Sequence, residues 1–166
     1  MEIKFRYAEP SDLANIVATY NNTVASKEVT ADLEPVSVES KKSWFESHNT
    51  TNRPLWIVEL HGKYAGWMSF NSFYGRPAYA GTVELSLYLN EAMRGRGLGK
   101  ICLQYAISEA STRNIHTLLG FIFGHNYGSV RLFQKLGFEQ WAKLPAVADM
   151  GDTMRDLLIF GLKIQA

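Results

Sequence analysis

Arg94-Gly95-Arg96-Gly97-Leu98-Gly99, followed by Lys100, gathers three glycines and three cations at one turn. Glycines let a backbone approach an anion closely, and N–H groups at the start of a following helix carry partial positive charge. Arginines beside them add charge-assisted hydrogen bonds. The chemistry that suits this combination is the holding of a phosphate or diphosphate. A Walker loop does not fit, because Gly99-Lys100 is followed by Ile101 and the position five before Gly99 is Arg94. A dinucleotide fingerprint does not fit either, because the spacing is G-x-G-x-G and no early β-α unit precedes it. A diphosphate turn of the form R-x-x-G-x-G between strand and helix fits at every position. A glycine-rich turn with two solvated arginines is the alternative.

The run before the turn, Thr82-Val83-Glu84-Leu85-Ser86-Leu87-Tyr88-Leu89, alternates as a strand does. Period two sends Val83, Leu85, Leu87 and Leu89 to one face and Thr82, Glu84, Ser86 and Tyr88 to the other. A carboxylate in mid-strand is costly on a dry face without a partner. Glu84 therefore meets a cleft, has a partner, or lies on an exposed strand face. In a cleft it could take a proton from a reacting group. The single cysteine, Cys102, falls on an apolar helical stripe with Leu98, Ile101 and Tyr105, which marks a buried structural thiol rather than a nucleophile. The four histidines share no metal-ligand spacing, and no metal is expected.

The elements that must position these residues follow from periodicity. Residues 3–8 alternate as a first strand, and Pro10-Ser11-Asp12 starts a helix carrying Leu13, Ile16, Val17 and Tyr20. A second helix begins after Ser37 and carries Trp44 and Phe45. Residues 55–60 and 63–73 are β-rich runs joined by His61-Gly62, which suits a hairpin. Strands at 82–90 and 117–123 flank the helix that opens at the glycine turn. Ser129, Leu132, Phe133 and Leu136 share one face of a helix that Gly137 ends, and 138–163 is a final strand or hairpin. The order β-α-α-β-β-β-α-β-α-β-β is that of a mixed α/β layer with helices on both faces.

The 166 residues suit one domain, and 46% hydrophobic residues supply a core. Seventeen Lys and Arg against 16 Asp and Glu give a formal charge of +1, so no basic field points to nucleic acid. No apolar stretch approaches the roughly 18 residues of a membrane span. The opening Met-Glu-Ile-Lys-Phe-Arg lacks the apolar core of a secretory signal, and a cytoplasmic protein without a membrane partner is the expectation.

Two sets of residues carry a resemblance. The turn 94–99 together with Asn126-x-x-Ser129-x-x-x-Phe133-x-x-x-Gly137-Phe138 resembles the acyl-CoA signature of the GNAT acetyltransferases. Arg76-Pro77-Ala78-Tyr79, followed by Thr82-Val83-Glu84-x-Ser86-x-Tyr88, is similar to the phosphinothricin and methionine-sulfoximine N-acetyltransferase subgroup. Tyr20-Asn21-Asn22, Glu34-Pro35-Val36 and Trp44-Phe45 extend the likeness over nearly the whole chain.

The resemblance implies a single GNAT domain over 1–166. Its mixed, mostly antiparallel sheet has about seven strands and splays after the fourth, and acetyl-CoA, the co-substrate, wedges into the gap. Backbone groups of Leu87, Tyr88 and Leu89 would pair with the pantetheine arm. Arg94, Gly95, Arg96, Gly97, Leu98, Gly99 and Lys100 would cradle the diphosphate, with Asn126 and Ser129 beside the pantetheine. Glu84 would be the base, and Ser86 would share the acceptor side with the loop bearing Tyr74, Arg76 and Tyr79. Arg76 is the candidate to hold an acceptor carboxylate, since a guanidinium binds one bidentately.

The implied reaction is acetylation of the α-amino group of a small amino acid or glutamate analogue, by direct transfer in a ternary complex. A backbone N–H near Leu87 or Leu89 would face the oxyanion. One position departs from the family: Phe133 stands where many members carry a tyrosine acid, and it cannot donate a proton. A homodimer is implied as well. Other acceptors (a polyamine, an aminoglycoside, a protein N-terminus) and a non-catalytic CoA-binding sensor are the competing readings.

Overall fold

The computed structural model describes residues 2–165. Its strands are β1 (Ile3–Tyr7), β2 (Leu55–Leu60), β3 (Lys63–Ser72), β4 (Thr82–Leu89), β5 (Thr117–Phe123), β6 (Glu139–Asp149) and β7 (Met154–Lys163). The helices are α1 (Leu13–Val24), α2 (Lys42–Glu46), α3 (Leu98–Ser111) and α4 (Tyr127–Lys135), in the order the sequence implies. One sheet contains all seven strands, ordered β1-β2-β3-β4-β5-β7-β6. The 138–163 segment is thus a hairpin whose second strand inserts beside β5.

His61 and Gly62, at φ 51° and 77°, make the tight β2–β3 turn, whose left-handed backbone matches the strand twist. Every neighbouring pair is antiparallel except β4 and β5. That parallel pair is short: Thr82, Val83 and Glu84 face Thr117, Leu118 and Leu119, and pairing then stops. Residues 85–89 continue along β3 instead, since β3 pairs with β4 through Leu89. The sheet therefore opens immediately after Glu84, as expected for a splay after the fourth strand.

Each face of the sheet carries its own apolar cluster. On one side α3 buries Leu98, Cys102, Leu103, Ala106 and Ala110 against Val83, Leu85 and Phe70. Full burial of each large side chain contributes about 1.5–3 kcal/mol, and Leu103→Ala would cost roughly 2–5 kcal/mol. On the other side Ile16 of α1, with Trp44 and Phe45 of α2, packs on Leu55, Ile57 and Trp67. The alternation along β4 decides the sides: Val83 and Leu85 are buried under α3, while Tyr88 joins the α1–α2 cluster. Gly120 of β5 lets α4 close in, because a Cβ there would lie 2.5 Å from the ring of Phe133.

Candidate active site

Gly95 and Gly97 adopt φ of 75° and 76°, a left-handed backbone that other residues enter at a cost. Gly97 is the N-cap of α3 and provides no side chain to cap it. The amides of the first turn are thus left for a ligand, at the positive end of a fourteen-residue helix. A channel of about 600 Å³ lies against them, walled by Arg94, Gly95, Gly97, Gly99 and Lys100. Leu98 lines it too, although its side chain is buried in the core, and Arg96 is not among the lining residues. Thr23, Glu28 and Val29, from α1 and the segment after it, close the channel's far side.

The channel continues into the splay. There a narrower cleft of about 120 Å³ runs between Leu87 and Tyr88 of β4 and Phe121 and Ile122 of β5. Leu89 lines the wider part. Asn126 and Ser129 border both spaces. Asn126 is also the N-cap of α4, its side-chain oxygen accepting the Ser129 N–H at 3.3 Å. That cap uses the oxygen and leaves the amide N–H₂ for another partner. Phe133 sits at the base of the cleft, buried and edge-on to Phe138 with ring centroids 4.8 Å apart.

Glu84 lines the cleft and also a second cavity of about 320 Å³ on the α1–α2 side of the sheet. Asn71, Ser86 and Tyr88 bring polar groups to this cavity, Tyr20, Trp44 and Trp67 bring aromatic walls, and Lys41 supplies its cation. Burial alone raises the Glu84 carboxyl above the ordinary carboxylate range. Among the described residues no side chain pairs with it, so its charge is stabilised only by what enters the cavity. Burial also pushes the Tyr20 hydroxyl up to about 12, and Tyr88 rises further for the same reason. Both hydroxyls therefore stay protonated as hydrogen-bond donors.

The segment 25–38 is pinned over this region. The Asn21 side chain bonds the backbone of Val36 twice, at 2.8 and 2.9 Å, and the Tyr20 hydroxyl meets Thr30 and Asp32. Tyr88 stacks on Trp67 with centroids 4.8 Å apart, and Trp44 stands edge-on to Trp67 at 5.2 Å. Four mutually packed aromatic rings thus wall part of the cavity.

The structure brings Glu84 and Ser86 together and leaves Tyr74, Arg76 and Tyr79 apart from them. Those three occupy an exposed loop outside the lining of the Glu84 cavity, where Tyr74 and Tyr79 pack edge-on at 5.5 Å. Lys41, Asn71, Tyr20 and Val36 are cavity residues that sequence reasoning missed. Helical spacing and the family likeness single out Tyr20 and Trp44, but neither places them at a site. Cys102 is on the buried face of α3, and burial pushes its thiol up to about 12. Among the described residues no cluster of three or more His, Cys, Asp or Glu could hold a metal ion, and no helix is long and apolar enough to cross a membrane.

Residues 17–138, most of the chain, match the model of the acetyltransferase (GNAT) family. The chain belongs to that family. It is 48% identical over 160 residues to YwnH of Bacillus subtilis, provisionally named a phosphinothricin acetyltransferase, covering 96% of this chain and 98% of that protein. An L-methionine sulfoximine/L-methionine sulfone acetyltransferase of Pseudomonas aeruginosa is 28% identical over 165 residues, 99% of this chain and 96% of that one. A solved structure of yncA, an acetyltransferase by provisional name, from Salmonella typhimurium with its cofactor acetyl-CoA, superposes with a TM-score of 0.89. It is 28% identical, and the match covers 98% of this chain and 94% of that one. The GNAT chain is thus an N-acetyltransferase of the phosphinothricin and methionine-sulfoximine-like subgroup.

Proposed function

We propose that the chain, as one domain over 1–166, transfers the acetyl group of acetyl-CoA to the α-amino group of a small amino acid or glutamate analogue, with Glu84 as base. The observation that carries this reading is the position of Glu84 at the last β4–β5 pair, where it borders both the splay and the aromatic cavity. An acetyl-CoA thioester in the splay and an amine in the cavity would meet at its carboxylate. The free amides at α3 and the splay wall (Leu87, Tyr88, Leu89, Asn126, Ser129) form a continuous path for a diphosphate and its pantetheine arm. The acetyl-CoA complex of yncA supports the same path by analogy of fold.

The chemistry follows. An α-ammonium must lose a proton before nitrogen can attack, and Glu84, its carboxyl raised above the ordinary carboxylate range by burial, takes that proton directly or through one water. Nitrogen then bonds to the thioester carbonyl carbon. A backbone N–H near Leu87 or Leu89 donates to the oxyanion, the C–S bond breaks, and the sulfur leaves as thiolate. A thiol with a pKa of about 8.5 leaves without an acid, which agrees with Phe133 at the base of the cleft. Lys41 is the cation inside the cavity for an acceptor carboxylate, and Arg76 on the exposed loop is the second candidate.

The cavity, with one carboxylate and one lysine among aromatic walls, suits a zwitterionic amino acid better than a polycation. The relative that acts on methionine sulfoximine and methionine sulfone supports the same class. A homodimer that covers the Tyr74–Arg76–Tyr79 loop belongs to this proposal, and sedimentation velocity tests it. The function itself is tested by free-thiol release with acetyl-CoA and a panel of amino acids, phosphinothricin, polyamines and peptides. Turnover confined to amino acids or their analogues is expected. Tight CoA binding without turnover on any acceptor would favour a sensor.

A further inference from the structure

His48, just beyond α2, has both ring nitrogens engaged: Nδ1 lies 2.9 Å from the Trp44 carbonyl oxygen and Nε2 lies 2.9 Å from Asn71 Oδ1. Both partners are oxygens that can only accept, so this arrangement needs a proton on each nitrogen. Burial opposes that state by lowering the affinity of His48 for its second proton, although the bonds to Asn71 and Trp44 act the other way. Half a turn of the Asn71 amide removes the conflict. Its Nδ2 then donates to a bare Nε2, while Nδ1–H continues to donate to Trp44.

The same half-turn changes the far end of the network. With an imidazolium at 48, Asn71 Nδ2 donates to Ser69 Oγ at 3.1 Å and to Ser86 Oγ at 3.3 Å. Ser86 is then free to donate its own proton into the cavity it lines with Glu84. With a neutral ring, Asn71 Oδ1 takes the place of Nδ2 and accepts the Ser86 O–H, and the hydroxyl's lone pairs face the cavity. Asn71 sits opposite Glu84 in the β3–β4 register, with Ser86 two residues along the same face.

We propose that His48, acting through Asn71, is a positioning residue that decides whether Ser86 offers the acceptor cavity a proton or a lone pair, and so how an incoming ammonium group is held beside Glu84. The inference rests on the reading of that cavity as the acceptor site. An ammonium group has only donors, so it meets both lone pairs of Ser86 when His48 is neutral, and one lone pair beside a freed, competing O–H when His48 is protonated and Asn71 donates to Ser86. Weakening a hydrogen bond to a charged group in this way costs up to about tenfold in binding.

The titratable and charged groups around His48 are few. Tyr7 of β1 shares a surface hollow of about 90 Å³ with it. Arg113, beyond α3, reaches that hollow's edge through the Tyr7 hydroxyl at 2.9 Å and the Thr50 carbonyl at 2.6 Å. Lys42 and Glu46 belong to α2 itself, and Glu84 lies across Asn71. None of them is bonded to the ring.

Glu84→Gln removes the competing titration. In that background, binding of L-methionine sulfoximine is followed by intrinsic tryptophan fluorescence, to which Trp44 and Trp67 of the cavity contribute, from about pH 8 down past about pH 5, because burial lowers the affinity of His48 for its second proton. The Kd is expected to rise by up to about tenfold as pH falls, with the midpoint at which NMR shows the His48 ring to protonate. The step should vanish in Glu84→Gln carrying His48→Gln or His48→Asn. Equal pH dependence with and without His48 overturns the inference. A ligand-free arm separates it from the functional reading: the Asn71 side-chain amide signals should shift as His48 titrates, and Ser86→Ala should move that midpoint. Absence of this coupling also overturns the inference, whereas coupling without any acceptor binding would overturn the acceptor-site reading and leave the network standing.

Discussion

The channel at α3 and the cavity under α1 and α2 meet at Glu84, yet backbone makes the first and side chains make the second. At the channel, Gly95 and Gly97 set a left-handed turn and the uncapped amides of α3 point outward, all within one short run of sequence. The cavity draws Tyr20 from α1, Lys41 and Trp44 from the α2 region, Trp67 and Asn71 from β3, and Ser86 from β4. A site built from consecutive amides depends little on which side chains surround it. One assembled from distant side chains can change its occupant through any of them, so the proposed reading gives specificity to the cavity and cofactor binding to the turn.

The greatest loss should come where the two regions join. Glu84→Gln is expected to lower kcat by about 10²–10⁴-fold, with both KM values little changed, as measured by thiol release. For the wild type, kcat at saturating acceptor should fall as pH drops through the raised carboxyl pKa of Glu84, because protonation removes the base. The variant should lack that limb, and an identical profile would remove Glu84 as base.

Substitution on one side should spare the other. Gly97→Val places a β-branched residue at φ 76° and is expected to raise KM for acetyl-CoA by roughly ten- to a hundredfold while leaving the acceptor KM alone. Lys41→Ala is expected to do the converse, raising KM for carboxylated acceptors by about tenfold through loss of a charge-assisted bond. Arg76→Ala should have a smaller effect, since its side chain is exposed and exposed ion pairs contribute little. An effect of Arg76→Ala exceeding that of Lys41→Ala would transfer carboxylate binding to the loop. The smallest change should come from Cys102→Ala: its thiol is buried at the α3 interface, so kcat should stay within about twofold while thermal stability falls. A collapse of kcat there would revive an acyl-enzyme.

The contrast between the regions also explains what could be read from the chain alone. Period two along β4 put Glu84 and Ser86 on one face, and R-x-x-G-x-G placed the turn at a helix start, because both signals are local. The His61-Gly62 turn was equally legible, since its two positive φ values need no distant partner. Lys41, Asn71 and His48 carried no such signal. Lys41 and His48 follow no periodic pattern, and Asn71 becomes meaningful only through its register with Glu84. Insertion of β7 between β5 and β6 was hidden for the same reason: long-range pairing, not local pattern, decides which strand of the 138–163 hairpin lies inside.

The most direct test is a crystal structure of the Glu84→Gln protein with acetyl-CoA and L-methionine sulfoximine. The thioester should lie in the splay beyond the pair of residues 84 and 119, the diphosphate against the amides of 97–100, and the acceptor nitrogen in the cavity bordered by Tyr20, Trp44 and Ser86. An acceptor bound on the 74–79 loop with that cavity empty, or a thioester outside the splay, would contradict the account.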